Sequence, residues 1–71
     1  MAQTYEFYTE RAEAAAQAAD DADLENVRER ELRSEKTWRS LAEQARKAAE
    51  ERIKVADERA ARRAEEAVQE A

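Results

Sequence analysis

From Trp38 onward, apolar residues recur along the chain at the spacing of one helix face. Gaps of four, three and four residues repeat every eleven positions, which is three helical turns, so the stripe runs nearly straight. No glycine or proline occurs in the 71 residues to interrupt it. The pattern therefore predicts one long helix with one apolar side. The members of this stripe are Trp38, Ala42, Ala45, Ala49, Ile53, Ala56, Ala60, Ala64, Ala67 and Ala71.

The one cluster of turn-forming residues lies at residues 20–26, which read DDADLEN. Asp and Asn side chains bond nearby backbone N–H groups, so they favour turns and helix starts. Either Asp23 caps a second helix that begins at Leu24, or Asn26 is the cap, with Glu29 completing a capping box. We predict a turn at about residues 20–25 and a second helix over about residues 24–70.

A first helix is predicted over about residues 4–19. Thr4 is a suitable N-cap, and the acidic residues Glu6 and Glu10 suit the N-terminal half of a helix. Phe7 falls off the apolar face, so it is either exposed or part of a second contact. The apolar face itself consists of Tyr5, Tyr8, Ala12, Ala15 or Ala16, and Ala19.

Folding the chain at about residue 22 brings together positions whose numbers add up to about 45. Tyr8 is then predicted to lie near Trp38, and Tyr5 near Leu41, at the open end of a helical hairpin. Small residues nearer the turn would let the two helices pack closely there. An aromatic pair at the open end would contribute ~0.5–1.5 kcal/mol beyond its buried area.

The predicted fold is one all-α domain over residues 1–71, an antiparallel helical hairpin with a long second helix. A helix of residues 24–71 is ~72 Å long against ~25 Å for the first helix, which leaves ~45 Å without intramolecular cover. Only 12 residues are large and apolar, and burying each contributes ~1.5–3 kcal/mol, against ~1.5 kcal/mol to order every residue. Residues 46–71 are therefore predicted either to assemble into a helical bundle or coiled-coil-like oligomer, or to fray.

Opposite charges at i,i+4 spacing favour the second helix even without a partner. Each such pair contributes ~0.2–0.5 kcal/mol to an isolated helix. The pairs are Glu43–Lys47, Arg46–Glu50, Glu50–Lys54, Lys54–Glu58, Glu58–Arg62 and Arg62–Glu66.

The residue types that most catalytic and metal sites need are absent. The chain has no Cys and no His, which excludes disulfides, thiolate nucleophiles and histidine ligands. Ser34 and Ser40 have no histidine to activate them. Asp20, Asp21 and Asp23 lack the glycine and the spacing of an EF-hand loop, so a capping turn is the simpler interpretation. We expect no catalytic residue, cofactor or metal ion, and interpret the protein as not an enzyme.

Nothing in the sequence indicates a membrane or a secretory route. No apolar run approaches the length of a membrane span. The N-terminal segment MAQTYEFYTE lacks the basic and apolar regions of a signal peptide. We expect a cytoplasmic, bacterial-type protein.

Trp38 lies among basic residues, which allows two interpretations. It is either part of the core, on the apolar stripe, or an exposed interface residue of the kind enriched in binding hot spots. A nucleic-acid-associated regulator is an alternative. It would use Arg28, Arg33, Arg39 and Arg46. However, residues 1–26 carry a net charge of −6 and residues 27–71 only +1, whereas nucleic-acid binders show a basic patch, so nucleic acid is not the expected partner.

The stretch NVRERELRSEKTWRSLA, at residues 26–42, follows an alanine-rich helix that begins with tyrosines. This arrangement resembles a group of short uncharacterised bacterial helical proteins with the pattern NVRER-x-LRSE-x-x-W-x-x-LA, over roughly residues 5–45. No function is known for that group. The resemblance therefore implies a helical fold, and no activity, cofactor or partner.

The leading functional hypothesis is a small protein–protein interaction or scaffold protein. It would associate with itself, for example as an antiparallel dimer, or bind an unknown protein helix. The alternative is a monomeric adaptor whose distal helix, residues 46–71, folds only on a protein partner. The residues predicted to pack or to form the interface are Tyr5, Tyr8, Trp38, Leu41, Ala45, Ala49, Ile53, Ala56 and Ala60.

Overall fold

The computed structural model describes residues 4–70 and shows an all-α hairpin. Helix α1 runs over Tyr5–Asp21 and helix α2 over Glu25–Glu70. The two helices pack against each other, and the molecule measures 71 × 18 × 15 Å. The predicted all-α hairpin with a long second helix is confirmed. Ala71, the last member of the predicted stripe, lies outside the described residues.

Helix α1 begins at a side-chain cap and ends with a backbone bond. The Thr4 hydroxyl oxygen accepts a hydrogen bond from the Phe7 backbone N–H at 3.3 Å, which satisfies one free donor of the first turn. At the other end, the N–H of Ala22 donates to the Ala19 carbonyl at 3.3 Å. Asp20 and Asp21 belong to the helix rather than to the turn, so α1 ends two residues later than the sequence analysis placed it.

The connection between the helices is short and contains no residue with positive φ. It consists of residues 22–24, and none of residues 4–70 has a positive φ. A turn of this kind needs no glycine, which agrees with a sequence that has none. Helix α2 begins at Glu25, and its first backbone hydrogen bond joins the Arg28 N–H to the Leu24 carbonyl at 3.0 Å. An N-cap at Asp23 would start the helix at Leu24, and an N-cap at Asn26 would start it at Val27. The observed first residue, Glu25, lies between these two positions.

The core of the hairpin is built from alanine. Four side chains are buried, Ala12, Ala15 and Ala19 on α1 and Ala42 on α2, and Ala12 is fully inaccessible to solvent. Small side chains at a helix contact allow the axes to approach at the short end of the ~8–10 Å range. The core therefore lies along one line between the helices, and the larger apolar side chains remain partly exposed around it.

Helix α2 extends far beyond α1. At 1.5 Å per residue, α1 is about 26 Å long and α2 about 69 Å, so about 43 Å of α2 has no helix beside it. All residues from Ala56 to Glu70 are exposed. Residues 46–70, which make up most of this uncovered part, are called the distal segment below.

Enlarging Ala12 should destabilise the hairpin. We expect Ala12→Leu to lower the free energy of unfolding by about 1–3 kcal/mol, because the leucine side chain has no room between the helices. Ala14→Leu is the matched control, since Ala14 is exposed on the same helix. It should change stability by less than about 0.5 kcal/mol. Urea unfolding followed by far-UV circular dichroism measures both, and equal effects would contradict the packing described here.

Candidate interaction surface

An aromatic cluster joins α1 to α2 at the open end of the hairpin. The Tyr8 and Trp38 rings are 6.0 Å apart at an interplanar angle of 30°. Phe7 meets the Trp38 ring edge-on at 6.0 Å and 86°, and lies 5.7 Å from the Tyr8 ring. Separations of this size are within the attractive range for aromatic pairs. Phe7 therefore makes the second contact that the sequence analysis left open, although it is also partly exposed.

A cation completes the surroundings of Trp38. The guanidinium carbon of Arg11 lies 5.2 Å from the centroid of the Trp38 ring, which is a cation–π distance. Arg11 was not among the residues predicted from the sequence to pack or to form an interface. The available signal was its position three residues after Tyr8, on the same side of α1. Trp38 is half-buried and is surrounded by side chains of α1, so its main contacts are within the chain.

A groove opens where α1 begins and α2 continues past it. It has a volume of about 560 Å³. It brings together five residues predicted from the sequence, namely Tyr5, Tyr8, Leu41, Ala45 and Ala49. The other lining residues are Thr4, Glu6, Gln44, Ala48 and Arg52. The groove is formed from both helices, so a ligand helix placed in it would touch the start of α1 and the face of α2 together.

The remaining predicted interface residues lie on the distal segment. Ile53 is 63% exposed, and Ala56 and Ala60 are also exposed. Within residues 4–70, no other helix lies against these three residues. Val55, which the sequence analysis did not select, is half-buried among its helix neighbours and lines a shallow surface with Ala48 and Ala56. The sequence feature that could have identified Val55 is its spacing: it lies seven residues after Ala48, which lies seven residues after Leu41.

Ion pairs are concentrated in the first half of α2. Arg46 binds Glu43 through two hydrogen bonds, of 3.1 Å from Nε and 2.5 Å from a terminal nitrogen, and it also pairs with Glu50. Of the six predicted i,i+4 pairs, Arg46–Glu50 is the one in contact among residues 4–70, and no ion pair of this range involves a residue beyond Glu50. An exposed pair gains little because two long side chains must be ordered to form it.

The Arg46 contacts shift two pKa values. The hydrogen bond donated by Arg46 lowers the pKa of Glu43 below its ordinary value of 4.5, and nearby positive charge adds to the effect. The same hydrogen bond raises the pKa of Arg46.

The four arginines of the nucleic-acid alternative do not present free charge together. Arg39 Nε lies 2.7 Å from a Glu35 carboxylate oxygen. A terminal nitrogen of Arg28 lies 4.0 Å from Glu25, and Arg46 is held by the glutamates named above. Glutamates therefore accompany three of the four arginines, Arg33 being the exception.

Neither a membrane span nor a cation site is found in the part of the chain that the structure describes. No helix within residues 4–70 combines the length and the hydropathy needed to cross a bilayer. Over the same residues, no three acidic side chains are arranged to hold a metal ion. Asp20, Asp21 and Asp23 thus lie at the end of α1 and in the turn without forming such a group.

Comparison with known proteins found no relative. The chain matches no protein-family model, no curated protein and no solved structure. The resemblance of residues 5–45 to a group of short bacterial helical proteins therefore stays a prediction.

Removing the Trp38 side chain should destabilise the hairpin. We expect Trp38→Ala to cost about 2–3 kcal/mol, less than a fully buried tryptophan because Trp38 is half-buried. Trp38→Phe retains ring contacts with Phe7 and Tyr8 and should lose less. Thermal unfolding followed by circular dichroism gives both values. An unchanged melting temperature in Trp38→Ala would show that the aromatic cluster does not hold the helices together.

The Glu43 carboxyl should titrate below pH 4.5. Because the pKa is lowered in the folded state, the charged carboxylate favours the helix above the ordinary pKa, and this contribution disappears as pH falls through the lowered value. Arg46→Gln should return the midpoint towards 4.5, whereas Lys47→Gln should move it less. Side-chain carbonyl NMR during a pH titration measures the midpoint, and an identical midpoint in the wild-type and Arg46→Gln proteins would contradict the assignment.

Proposed function

We propose that this protein is a small non-enzymatic scaffold or interaction protein that associates with itself through the distal segment. One observation carries the proposal: about 43 Å of α2 continues beyond α1 with its alanine face and Ile53 exposed. The sequence keeps the apolar stripe regular over this length, although nothing within the described chain covers it. A regular apolar face on an uncovered helix is typical of a helix that packs against another helix.

Energetics support a partner for this segment. Ala, Glu and Arg are strong helix formers, so the segment is inclined towards a helix before any contact is made. Most helical stability in proteins nevertheless comes from packing of an apolar face. Covering Ile53 would contribute about 1.5–3 kcal/mol, and each copy of the chain offers the same face to the other.

The exposed charges are compatible with association. Within the described part of the chain, residues after Glu50 make no ion pair, so their charged side chains are available to a second molecule. Charged residues beside an apolar helix face commonly determine partner choice and orientation in helical assemblies.

Sedimentation equilibrium from about 1 µM to about 1 mM tests the proposal. We expect the average mass to rise with concentration, and Ile53→Asp to weaken association by about tenfold or more, because a buried carboxylate would be unpaired. Leu32→Asp is the matched control, since Leu32 is an exposed apolar residue beside α1 and not on the distal segment.

A strictly monomeric protein at about 1 mM would overturn self-association. A monomer whose helicity rises only when another protein is added would favour the monomeric adaptor instead. Equal effects of Ile53→Asp and Leu32→Asp would show that the distal segment is not the contact.

A further inference from the structure

We propose that the second copy lies antiparallel to the first, with the C-terminal end of its α2 seated in the groove beside Tyr5. The inference rests on the proposed self-association and specifies its orientation and register. The position of α1 on α2 provides the main argument, since it limits where a second helix can lie.

Helix α1 occupies the face of α2 that the apolar stripe follows. Trp38 and Ala42, the first two members of the stripe, pack against α1. A parallel copy would bring its own α1 to the same level. Two α1 helices would then stand between the α2 helices, hold the distal segments more than one helix diameter apart and leave Ile53 uncovered. An antiparallel copy brings only its distal segment to this face, in line with α1 and end to end with it.

The length of the uncovered face fits one distal segment. About 43 Å of α2 is free, and residues 46–70 of a second copy are about 38 Å long. Full overlap pairs positions whose numbers add up to 116, which places Ala49 opposite Ala67 and Ala56 opposite Ala60. Ile53 then lies next to Ala64 of the copy, where the small side chain leaves room for it. The stripe is therefore complementary to itself in this orientation.

Shifted registers are less favourable in both directions. A longer overlap drives the end of the copy into the start of α1, where Tyr5 lines the groove. A shift of one eleven-residue repeat the other way removes about 16 Å of contact. A strip about 12 Å wide along the full overlap buries roughly 900 Å² in total, which is below the ~1,000 Å² of a stable interface and corresponds to a weak, reversible pair. The shifted overlap buries little more than half of that.

The charges along the pair include both attractive and repulsive contacts. Arg52 lines the groove and makes no ion pair within residues 4–70. In the antiparallel pair it lies about 3 Å along the axis from Glu66 of the copy, on the same flank, and the two-fold symmetry produces this pair twice. Arg59 comes close to its own copy near the two-fold axis. On the opposite flank Asp57 also comes close to its own copy, and Glu50 lies about 1.5 Å along the axis from Glu65 of the copy. Exposed pairs contribute little, so the position of α1 and the apolar stripe decide the register.

Disulfide trapping tests the orientation, because the chain has no cysteine of its own. Full-length Ala49→Cys and ¹⁵N-labelled Ala67→Cys are mixed in a glutathione redox buffer, and mass spectrometry separates the labelled, unlabelled and mixed disulfides. We expect the mixed disulfide to exceed either homodisulfide by roughly tenfold, since only the mixed pair lies within bonding distance. Lys47→Cys replaces Ala49→Cys as the control, because Lys47 points away from the stripe.

The outcomes separate this inference from the proposed function. A dominant Ala49→Cys homodisulfide would show a parallel pair and overturn the orientation, while self-association would stand. A dimer in sedimentation without selective disulfides, or with an equally strong Lys47→Cys product, would overturn the register. A monomer in sedimentation would overturn the proposed function, and the inference would fail with it.

Discussion

The close approach of α1 to α2 through four buried alanines is the contact on which the rest of the structure depends. Alanine loses no side-chain rotamer freedom on burial, so this contact costs little entropy, but it also buries little apolar area. A core of this kind holds two helices at short distance without holding them strongly. The aromatic cluster around Trp38 adds the larger contact area at the open end, where the helices would otherwise separate most easily.

The unequal lengths of the two helices determine which surfaces remain for partners. Helix α1 covers less than half of α2, and the stripe that α1 meets at Trp38 and Ala42 continues over the uncovered part. The start of α1 also forms one wall of the groove beside Tyr5. Helix α1 therefore covers the first part of the apolar face of α2. Its N-terminal end also forms a wall of the groove where the uncovered part of that face begins.

Electrostatics act differently in the two halves of α2. In the first half, Arg39 and Arg46 are held by glutamates of the same helix, which satisfies their charge locally. Beyond Glu50, the described residues carry alternating charges that are not in contact with one another. These unpaired charges contribute little to the stability of a single hairpin. A partner that excludes water from them would strengthen the attraction between opposite charges.

By itself, the sequence determined the two helices, their antiparallel arrangement and the regular apolar face of the distal segment. These features follow from local propensity and helical spacing, which need no knowledge of distant contacts. Only the tertiary structure decided that Ala15 rather than Ala16 is buried, and that Phe7 and Arg11 both contact Trp38. Those outcomes depend on the rotation of α1 about its own axis and on side-chain direction, and both are set by packing between helices rather than by spacing along one of them.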